Sequence, residues 1–130
     1  MSEHPNVELV RRGYAAFLSG DMETVSSLFA DGIVWHVGGA HQLSGDYAGK
    51  EAVFGNFAKL GQVTQGSLSL DIHAIVADDD HAVVLLDSTI EAPASYHGRE
   101  VHVLHISDGK VTEFWEFPDD RAALNAALGS

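Results

Sequence analysis

Four apolar segments in the second half of the chain constrain its fold most strongly. They are SLSLDIHAIVA, HAVVLLDSTIEA, REVHVLHIS and KVTEFWEF, and together they account for most of the chain from Ser67 to Phe117. Each segment is rich in β-branched and apolar residues, and the turns DDD and SDG join the first pair and the last pair. Short turns between such segments are typical of antiparallel neighbours. The second half therefore predicts a long antiparallel sheet.

The first half of the chain has helical periodicity instead. Asn6 is the predicted N-cap of VELVRRGYAAFLSG, Asp21 is that of METVSSLFA, and KEAVFGNFAKL forms a third helix. The strand GIVWHV and the glycine-rich loop GGAHQLSGDYAG separate the second helix from the third, and RAALNAAL predicts a short C-terminal helix.

Helices that precede an antiparallel run indicate the α+β class. We expect a long, curved antiparallel sheet with three helices of the N-terminal half on its concave face and the short C-terminal helix at its end. Such an arrangement leaves a small-molecule pocket between helices and sheet. Its convex face would be partly apolar and would favour a homodimer. The 130 residues predict a single domain over 1–130.

The charge of the chain argues against two classes of partner. Seven Lys and Arg stand against 19 Asp and Glu, a formal net charge of −12, which repels nucleic acids and anionic membranes. There is no cysteine, and no apolar run approaches the ~20 residues of a membrane span. The start MSEHPNVELV lacks the features of a signal peptide. We therefore expect a cytoplasmic protein that binds neither nucleic acid nor membrane.

Three stretches resemble a known family. YAAFLSGDMETVSSLFADGIVWH, LSGDYAGKEAVFGNF and VHVLHISDGKVTEFWEFPDD are similar to successive parts of the SnoaL-like branch of the NTF2-like superfamily. That superfamily includes ketosteroid isomerases, polyketide cyclases, scytalone dehydratase and limonene epoxide hydrolase. The resemblance implies a cone-shaped cavity that holds a hydrophobic, carbonyl-bearing molecule. Unrelated reactions share this fold, so the reaction has to be argued from individual residues.

The ketosteroid isomerase positions are not kept in this chain. By resemblance, the isomerase tyrosine corresponds to Gly13, the base aspartate to Val37 and the oxyanion-binding aspartate to His102. The Arg-x-Asp pair of the epoxide hydrolases is also missing from the strands. The resemblance therefore argues against both activities.

The polyketide cyclase pattern is the nearest match. It implies an aspartate shortly after the tryptophan of the last strand, and Asp119 follows Trp115 by four residues, with Asp120 as the alternative. Its partner is a histidine of the preceding strand, where His102 and His105 both lie. The resemblance thus implies Asp119 or Asp120 as a base and His102 as an acid or oxyanion donor.

Each of these residues also has a structural interpretation. Asp119 and Asp120 stand before RAALNAAL, where one of them would cap the last helix. His102 and His105 are three apart on a strand and must point to opposite faces. In IVWHV, either Trp35 or His36 faces the cavity, and His36 is the further catalytic candidate.

The remaining candidates would contact a ligand rather than react with it. Aromatic side chains make flat walls for a ring-shaped ligand, although core packing is the more common role. Polar side chains within apolar strands either reach the ligand or face solvent. The aromatic candidates are Trp35, Trp115, Tyr47, Phe54, Phe57 and Phe117, and the polar ones are His105, His73 and Asp87.

The sequence offers no motif for a metal or a cofactor. The eight histidines form no H-E-x-x-H pattern, no cysteine ligand exists, and no phosphate-binding glycine motif is present. We therefore expect an enzyme without a metal or other cofactor that cyclises, isomerises or dehydrates its substrate by acid-base chemistry. The alternative is a non-catalytic binding or dimerisation module with the same fold.

Overall fold

The computed structural model describes residues 3–130, which form a sheet of six strands and four helices. The helices are α1 Pro5–Ser19, α2 Met22–Leu28, α3 Lys50–Val63 and α4 Arg121–Leu128. The strands are β1 Phe29–Val37, β2 Gly45–Ala48, β3 Ser69–Ala77, β4 His81–Ile90, β5 Tyr96–Ser107 and β6 Lys110–Pro118. The predicted α+β class, the curved sheet and the short C-terminal helix are confirmed.

The sheet has the order β2-β1-β6-β5-β4-β3. The run from β3 to β6 is antiparallel throughout, as the turns predict. Two details differ from the sequence prediction. The loop before α3 contains the short strand β2, and β1 pairs with β6 in parallel. No hairpin turn joins β1 to β6, so chain connectivity does not force these two strands to be antiparallel.

The helix caps explain where the helices begin. Asp21 caps α2 by accepting from the backbone N–H of Thr24, as predicted. The predicted cap of α1 is wrong, because His4 holds that position and its Nδ1 accepts from the backbone of Asn6 at 3.1 Å. Asn6 is instead buried within the first turn. Pro5 follows His4 at the first helical position, where its missing N–H has no cost.

Alternation along β4 decides which of its side chains face the helices. On β4 the buried residues are Ala82, Val84, Leu86, Ser88 and Ile90, and those between them are partly or fully exposed. The inner face of the sheet packs against α1 and α3, and the other face is left uncovered by the helices of residues 3–130. None of these helices combines the length and the apolar character that a membrane span requires.

Candidate active site

An apolar cavity of about 140 Å³ lies between the inner face of the sheet and the helices α1, α3 and α4. A cavity of about 150 Å³ with similar apolar walls is large enough to bind benzene. The apolar side chains of its wall include Val10, Phe17, Trp35, Leu43, Phe57, Leu60, Leu70, Ile90, Leu104, Phe114, Leu124 and Leu128. The polar ones are Tyr14, His41, Asn56, Ser88, Glu100, His102 and Glu116. The cavity therefore suits a ligand of about one ring with few polar groups.

Three of the polar side chains form a hydrogen-bonded series. The Tyr14 hydroxyl lies 2.5 Å from Nδ1 of His102, and Nε2 of His102 lies 2.9 Å from Oε1 of Glu100. His102 and Glu100 are both 6% exposed. Alternation on β5 puts positions 100 and 102 on one face, and α1 brings the tyrosine to them across the cavity. A buried charge of this kind is tolerated only when it is paired, as here.

The bond to Glu100 determines which nitrogen of the neutral His102 ring carries the proton. The Glu100 carboxylate can only accept, so Nε2 of His102 carries a proton and donates it to Glu100. In the neutral ring, Nδ1 accepts from the Tyr14 hydroxyl; in the imidazolium, Nδ1 donates to the tyrosine oxygen. Burial raises the pKa of Tyr14 well above its usual range, and the charges of Glu100 and Glu116 raise it further. Tyr14 therefore keeps its proton at neutral pH and remains a donor.

Glu116 brings a second carboxyl group to the same place. Glu116 on β6 is the direct neighbour of His102 on β5. One ring nitrogen of His102 and one carboxylate oxygen each of Glu100 and Glu116 lie within 4.8 Å of one another. Burial raises the pKa of Glu116 and the charge of Glu100 raises it further, against the opposing effects of His102 and Arg121. Arg121 donates from Nη1 to its Oε1 at 3.2 Å. A carboxylate with a raised pKa in a dry cavity is suited to accept a proton from carbon.

The same three side chains lie close enough together to bind one cation, but each of the two carboxylates already has a partner within the protein. Nε2 of His102 donates to Glu100, and Arg121 forms an ion pair with Glu116. A second group with such a spacing, Asp71, His73 and Asp87, lies on the outer face of the sheet.

The structure brings three of the sequence candidates to the cavity. They are His102, Trp35 and Phe57. Tyr47 and Phe54 pack against the main core cluster, and Phe54 lines a second pocket, bordered by α1, α2 and α3. The cavity wall includes neither of these two.

The outer face of the sheet carries six further candidates. They are His36, His105, Trp115, Phe117, His73 and Asp87, and none of them lines the cavity. His73 donates from Nε2 to Asp87 at 3.1 Å, which accounts for both polar residues within their apolar strands. The catalytic and binding roles assigned to these six would require a ligand on the outer face.

The two aspartates after β6 are not in the cavity wall either. Asp120 caps α4, because its Oδ1 accepts from the backbone N–H of Ala123 at 3.0 Å. Asp119 is exposed, and its backbone N–H donates to the carbonyl of Arg99 at 2.8 Å. The distribution of the polar side chains therefore favours Glu116, rather than either aspartate, as the carboxyl group next to His102.

His36 belongs to a surface network of ion pairs. Its Nδ1 lies 2.7 Å from Asp46 and its Nε2 lies 2.6 Å from Glu113, and its ring stacks on Trp115. The hydrogen bond to Asp46, followed by that to Glu113, raises the pKa of His36. These contacts account for His36 without a ligand.

The raised pKa of His36 predicts a pH-dependent stability. The group binds its proton more tightly in the folded state, so its contribution is fully present below the unfolded pKa of about 6.5 and is lost as the pH rises through the folded value. The difference in unfolding free energy between wild type and His36→Gln should therefore be larger at pH ~5.5 than at pH ~9. Urea denaturation of both proteins at the two pH values measures it, and a difference independent of pH would contradict the assignment.

Of the four polar residues around His102 in the cavity wall, the sequence predicts only His102 itself as a site residue; the other three are Tyr14, Glu100 and Glu116. Tyr14 lies one residue after Gly13, the position that the resemblance gives to the isomerase tyrosine. Neither Glu100 nor Glu116 is among the site residues that the sequence predicts. Alternation from His102 places Glu100 on the same face, and a glutamate within the apolar run FWEF was the available signal for Glu116.

Comparison with known proteins agrees with this architecture. The model of the SnoaL-like domain matches residues 10–114. The structure of Bal32a from a soil-derived mobile gene cassette is 32% identical and superposes with a TM-score of 0.89, over 95% of each chain. An NTF2-like protein of Burkholderia xenovorans is 22% identical, with a TM-score of 0.82 over 99% of each chain.

IdmH of Streptomyces antibioticus, a proposed polyketide cyclase, has the same fold. It is 20% identical, and the alignment covers 98% of this chain and 100% of IdmH with a TM-score of 0.73. The match to the domain model spans most of the chain, from the middle of α1 to β6, and includes both elements that carry Tyr14 and His102. The protein belongs to the SnoaL-like family and has the NTF2-like fold.

Proposed function

We propose that the protein is an enzyme that transfers protons on a neutral, carbonyl-bearing molecule of about one ring, within a cyclisation, isomerisation or dehydration. One observation carries the proposal: the series Tyr14–His102–Glu100 ends in an apolar cavity next to the carboxyl group of Glu116. A proton donor and a proton acceptor that face one apolar pocket are the typical arrangement of acid-base catalysis.

Tyr14 is the proposed donor to the carbonyl oxygen. When His102 carries a second proton, its Nδ1–H donates to the tyrosine oxygen, and the tyrosine O–H is free to donate to the ligand. The Glu100 carboxylate, 2.9 Å from Nε2, balances the charge of the imidazolium. A fixed donor of this kind stabilises the oxygen on which negative charge develops.

Glu116 is the proposed base. It takes the proton from the carbon next to the carbonyl, the C–H electron pair forms the carbon–carbon double bond of the enolate, and the carbonyl π pair moves to the oxygen facing Tyr14. In an unsaturated ketone the dienolate takes the proton back from Glu116 at the far carbon of its conjugated system. Alternatively, the enolate carbon attacks a second carbonyl carbon, whose oxygen takes the proton from Glu116, or the enolate expels a β-hydroxyl that leaves with that proton as water. These outcomes correspond to isomerisation, cyclisation and dehydration.

IdmH, which shares the fold, is a proposed polyketide cyclase, and cyclisation is one of the three reactions. The fold alone does not choose between them, because the reaction depends on the side chains of the cavity. The proton-transfer step is common to all three and is therefore the step to measure first.

Exchange of carbon-bound protons tests this step without knowledge of the natural substrate. Acetophenone and other one-ring ketones are incubated with the protein in deuterated buffer, and the loss of the signal of the protons next to the carbonyl is followed by NMR. We expect the protein to accelerate this exchange over buffer. Binding of the ketones without exchange would instead favour the non-catalytic binding module.

We also propose that the outer face of the sheet pairs with a second copy of the chain. Leu85, Val101 and Phe117 lie side by side across β4, β5 and β6, and Leu85 and Phe117 are 43% and 53% exposed. Val76 on β3 adds a further apolar side chain that is 58% exposed. An apolar row of this kind on an uncovered sheet supports an interface between copies.

A charge in this row should separate the copies. Phe117→Lys is expected to sediment as a monomer in analytical ultracentrifugation, whereas the wild type sediments as a dimer. Leu18→Lys is the matched control, because Leu18 is 46% exposed on α1, outside this row, and this variant should remain dimeric. A monomeric wild type, or a dimeric Phe117→Lys, would contradict the proposed interface.

A further inference from the structure

Asn56 is a polar residue in a position that favours an apolar one. It lies near the middle of α3, is 6% exposed and lines the cavity. Its Oδ1 has no hydrogen-bond partner within residues 3–130. Asparagine is a weak helix former, and a buried amide oxygen without a partner destabilises the folded state. A residue that conflicts with both local preference and packing typically serves function.

Asn6 shows what a structural asparagine looks like in the same molecule. It is also buried in a helix, at 9% exposed. Its Nδ2 donates to the backbone carbonyls of Asp78 and Asp79 at 3.0 and 3.2 Å. Asn6 thus ties α1 to the β3–β4 turn. The Oδ1 of Asn56, in contrast, makes no hydrogen bond within the described chain.

His41 supplies a second unpaired polar atom in the cavity wall. It lies in the loop after β1 and is 8% exposed. Its Nδ1 accepts from the backbone N–H of Leu43 at 3.1 Å, so the neutral ring carries its proton on Nε2. Within the described chain this Nε2 has no partner. Burial lowers the pKa of His41 and the charge of Arg121 lowers it further, so the ring is a neutral donor.

We propose that Asn56 and His41 recognise a second oxygen function of the ligand, a hydroxyl group away from the reacting carbonyl. This inference rests on the proposed function and specifies its substrate class as neutral hydroxy-ketones. A hydroxyl group supplies the donor that Asn56 Oδ1 lacks and an acceptor of the kind that His41 Nε2–H lacks. A carboxylate in the same place is disfavoured, because Glu100 and Glu116 line the same cavity and the chain has a net charge of −12.

A pair of ketones that differ only by the hydroxyl group tests the proposal. Acetophenone and para-hydroxyacetophenone are titrated into the wild type and into Asn56→Leu by isothermal titration calorimetry. We expect the wild type to bind the hydroxylated ketone about tenfold more tightly, the effect of one or two good hydrogen bonds. Asn56→Leu should bind the two ketones with equal affinity, and His41→Phe should show a reduced preference.

Stability provides a second readout that a structural role would not give. Asn56→Leu removes an unpaired buried oxygen, so we expect its urea midpoint without ligand to equal or exceed that of the wild type. Asn6→Leu is the matched control: it loses two hydrogen bonds, and we expect a lower midpoint with the preference for the hydroxylated ketone intact. If Asn56→Leu does not fold, Asn56 is structural and the proposal is overturned.

The outcomes separate this proposal from the proposed function. Equal affinity of the wild type for both ketones, or an unchanged preference in Asn56→Leu, overturns the role of Asn56 and His41 and leaves the carbonyl site in place. Failure of both ketones to bind overturns the carbonyl site itself, and this inference with it.

Discussion

Replacement of Glu116 by glutamine should reduce the rate of ketone proton exchange by about 10²- to 10⁴-fold, the usual effect of losing a positioned general base. Glutamine has nearly the same shape as glutamate and can still accept from Arg121, so the cavity and the binding of acetophenone should be kept. The proton next to the ligand carbonyl would then have no carboxylate to receive it. Exchange followed by NMR in deuterated buffer measures the effect.

Glu113 provides the matched control for this variant. It lies three residues earlier on the same strand, but its carboxylate bonds to His36 on the outer face. Glu113→Gln should therefore exchange the ketone at the wild-type rate. Asp119→Asn tests the base that the sequence predicted, and we expect its rate to be unchanged as well. A wild-type rate in Glu116→Gln together with a slow Asp119→Asn would reverse the assignment.

Replacement of Tyr14 by phenylalanine should slow exchange by about 10²- to 10³-fold, the effect of removing one donor to a developing oxyanion. The ring remains, so the walls of the cavity change little. The loss should appear mainly in the maximal rate rather than in the affinity for the ketone, because the hydrogen bond strengthens as charge builds on the oxygen.

Tyr47→Phe is the control for the loss of a tyrosine hydroxyl. The Tyr47 hydroxyl donates to the carbonyl of Leu43 at 2.7 Å, and the residue does not line the cavity. This variant should lose about 1 kcal/mol of stability and keep its exchange rate. Equal rates for Tyr14→Phe and wild type would show that the tyrosine only holds His102 in place.

Local patterns in the sequence were sufficient for most of the fold. Period-two alternation and the turns around Asp79 and Gly109 determine the antiparallel run, and Asp21 caps its helix as expected. The parallel pairing of β1 with β6 was not accessible in this way. It depends on contacts between segments about 80 residues apart, for which no turn or periodic pattern exists.

The candidate site was only partly accessible from the sequence, for geometrical reasons. Alternation separated His102 from His105 but could not say which one faces the helices, because the apolar residues of β5 are distributed over both faces. The packing of α1 against the inner face decides this, since it brings Tyr14 to His102. Successive helix positions differ by about 100°, and it is Tyr14, one residue after Gly13, whose side chain reaches His102.

The end of β6 illustrates a competing role that sequence resemblance does not resolve. Asp120 lies where the chain leaves the sheet, and the start of α4 needs an acceptor for its free N–H groups. The capping role therefore fixes that carboxyl group outside the cavity. Glu116, still within the regular strand, keeps the inward direction that alternation gives it.

A crystal structure with acetophenone bound tests the central claim most directly. The account predicts the ketone in the cavity between α1, α3 and β5, with its carbonyl oxygen about 2.7–3.1 Å from the Tyr14 hydroxyl. The carbon next to the carbonyl should face the carboxyl group of Glu116. A ketone bound on the outer face beside His36 and Trp115, or one whose carbonyl points away from Tyr14 and His102, would contradict it.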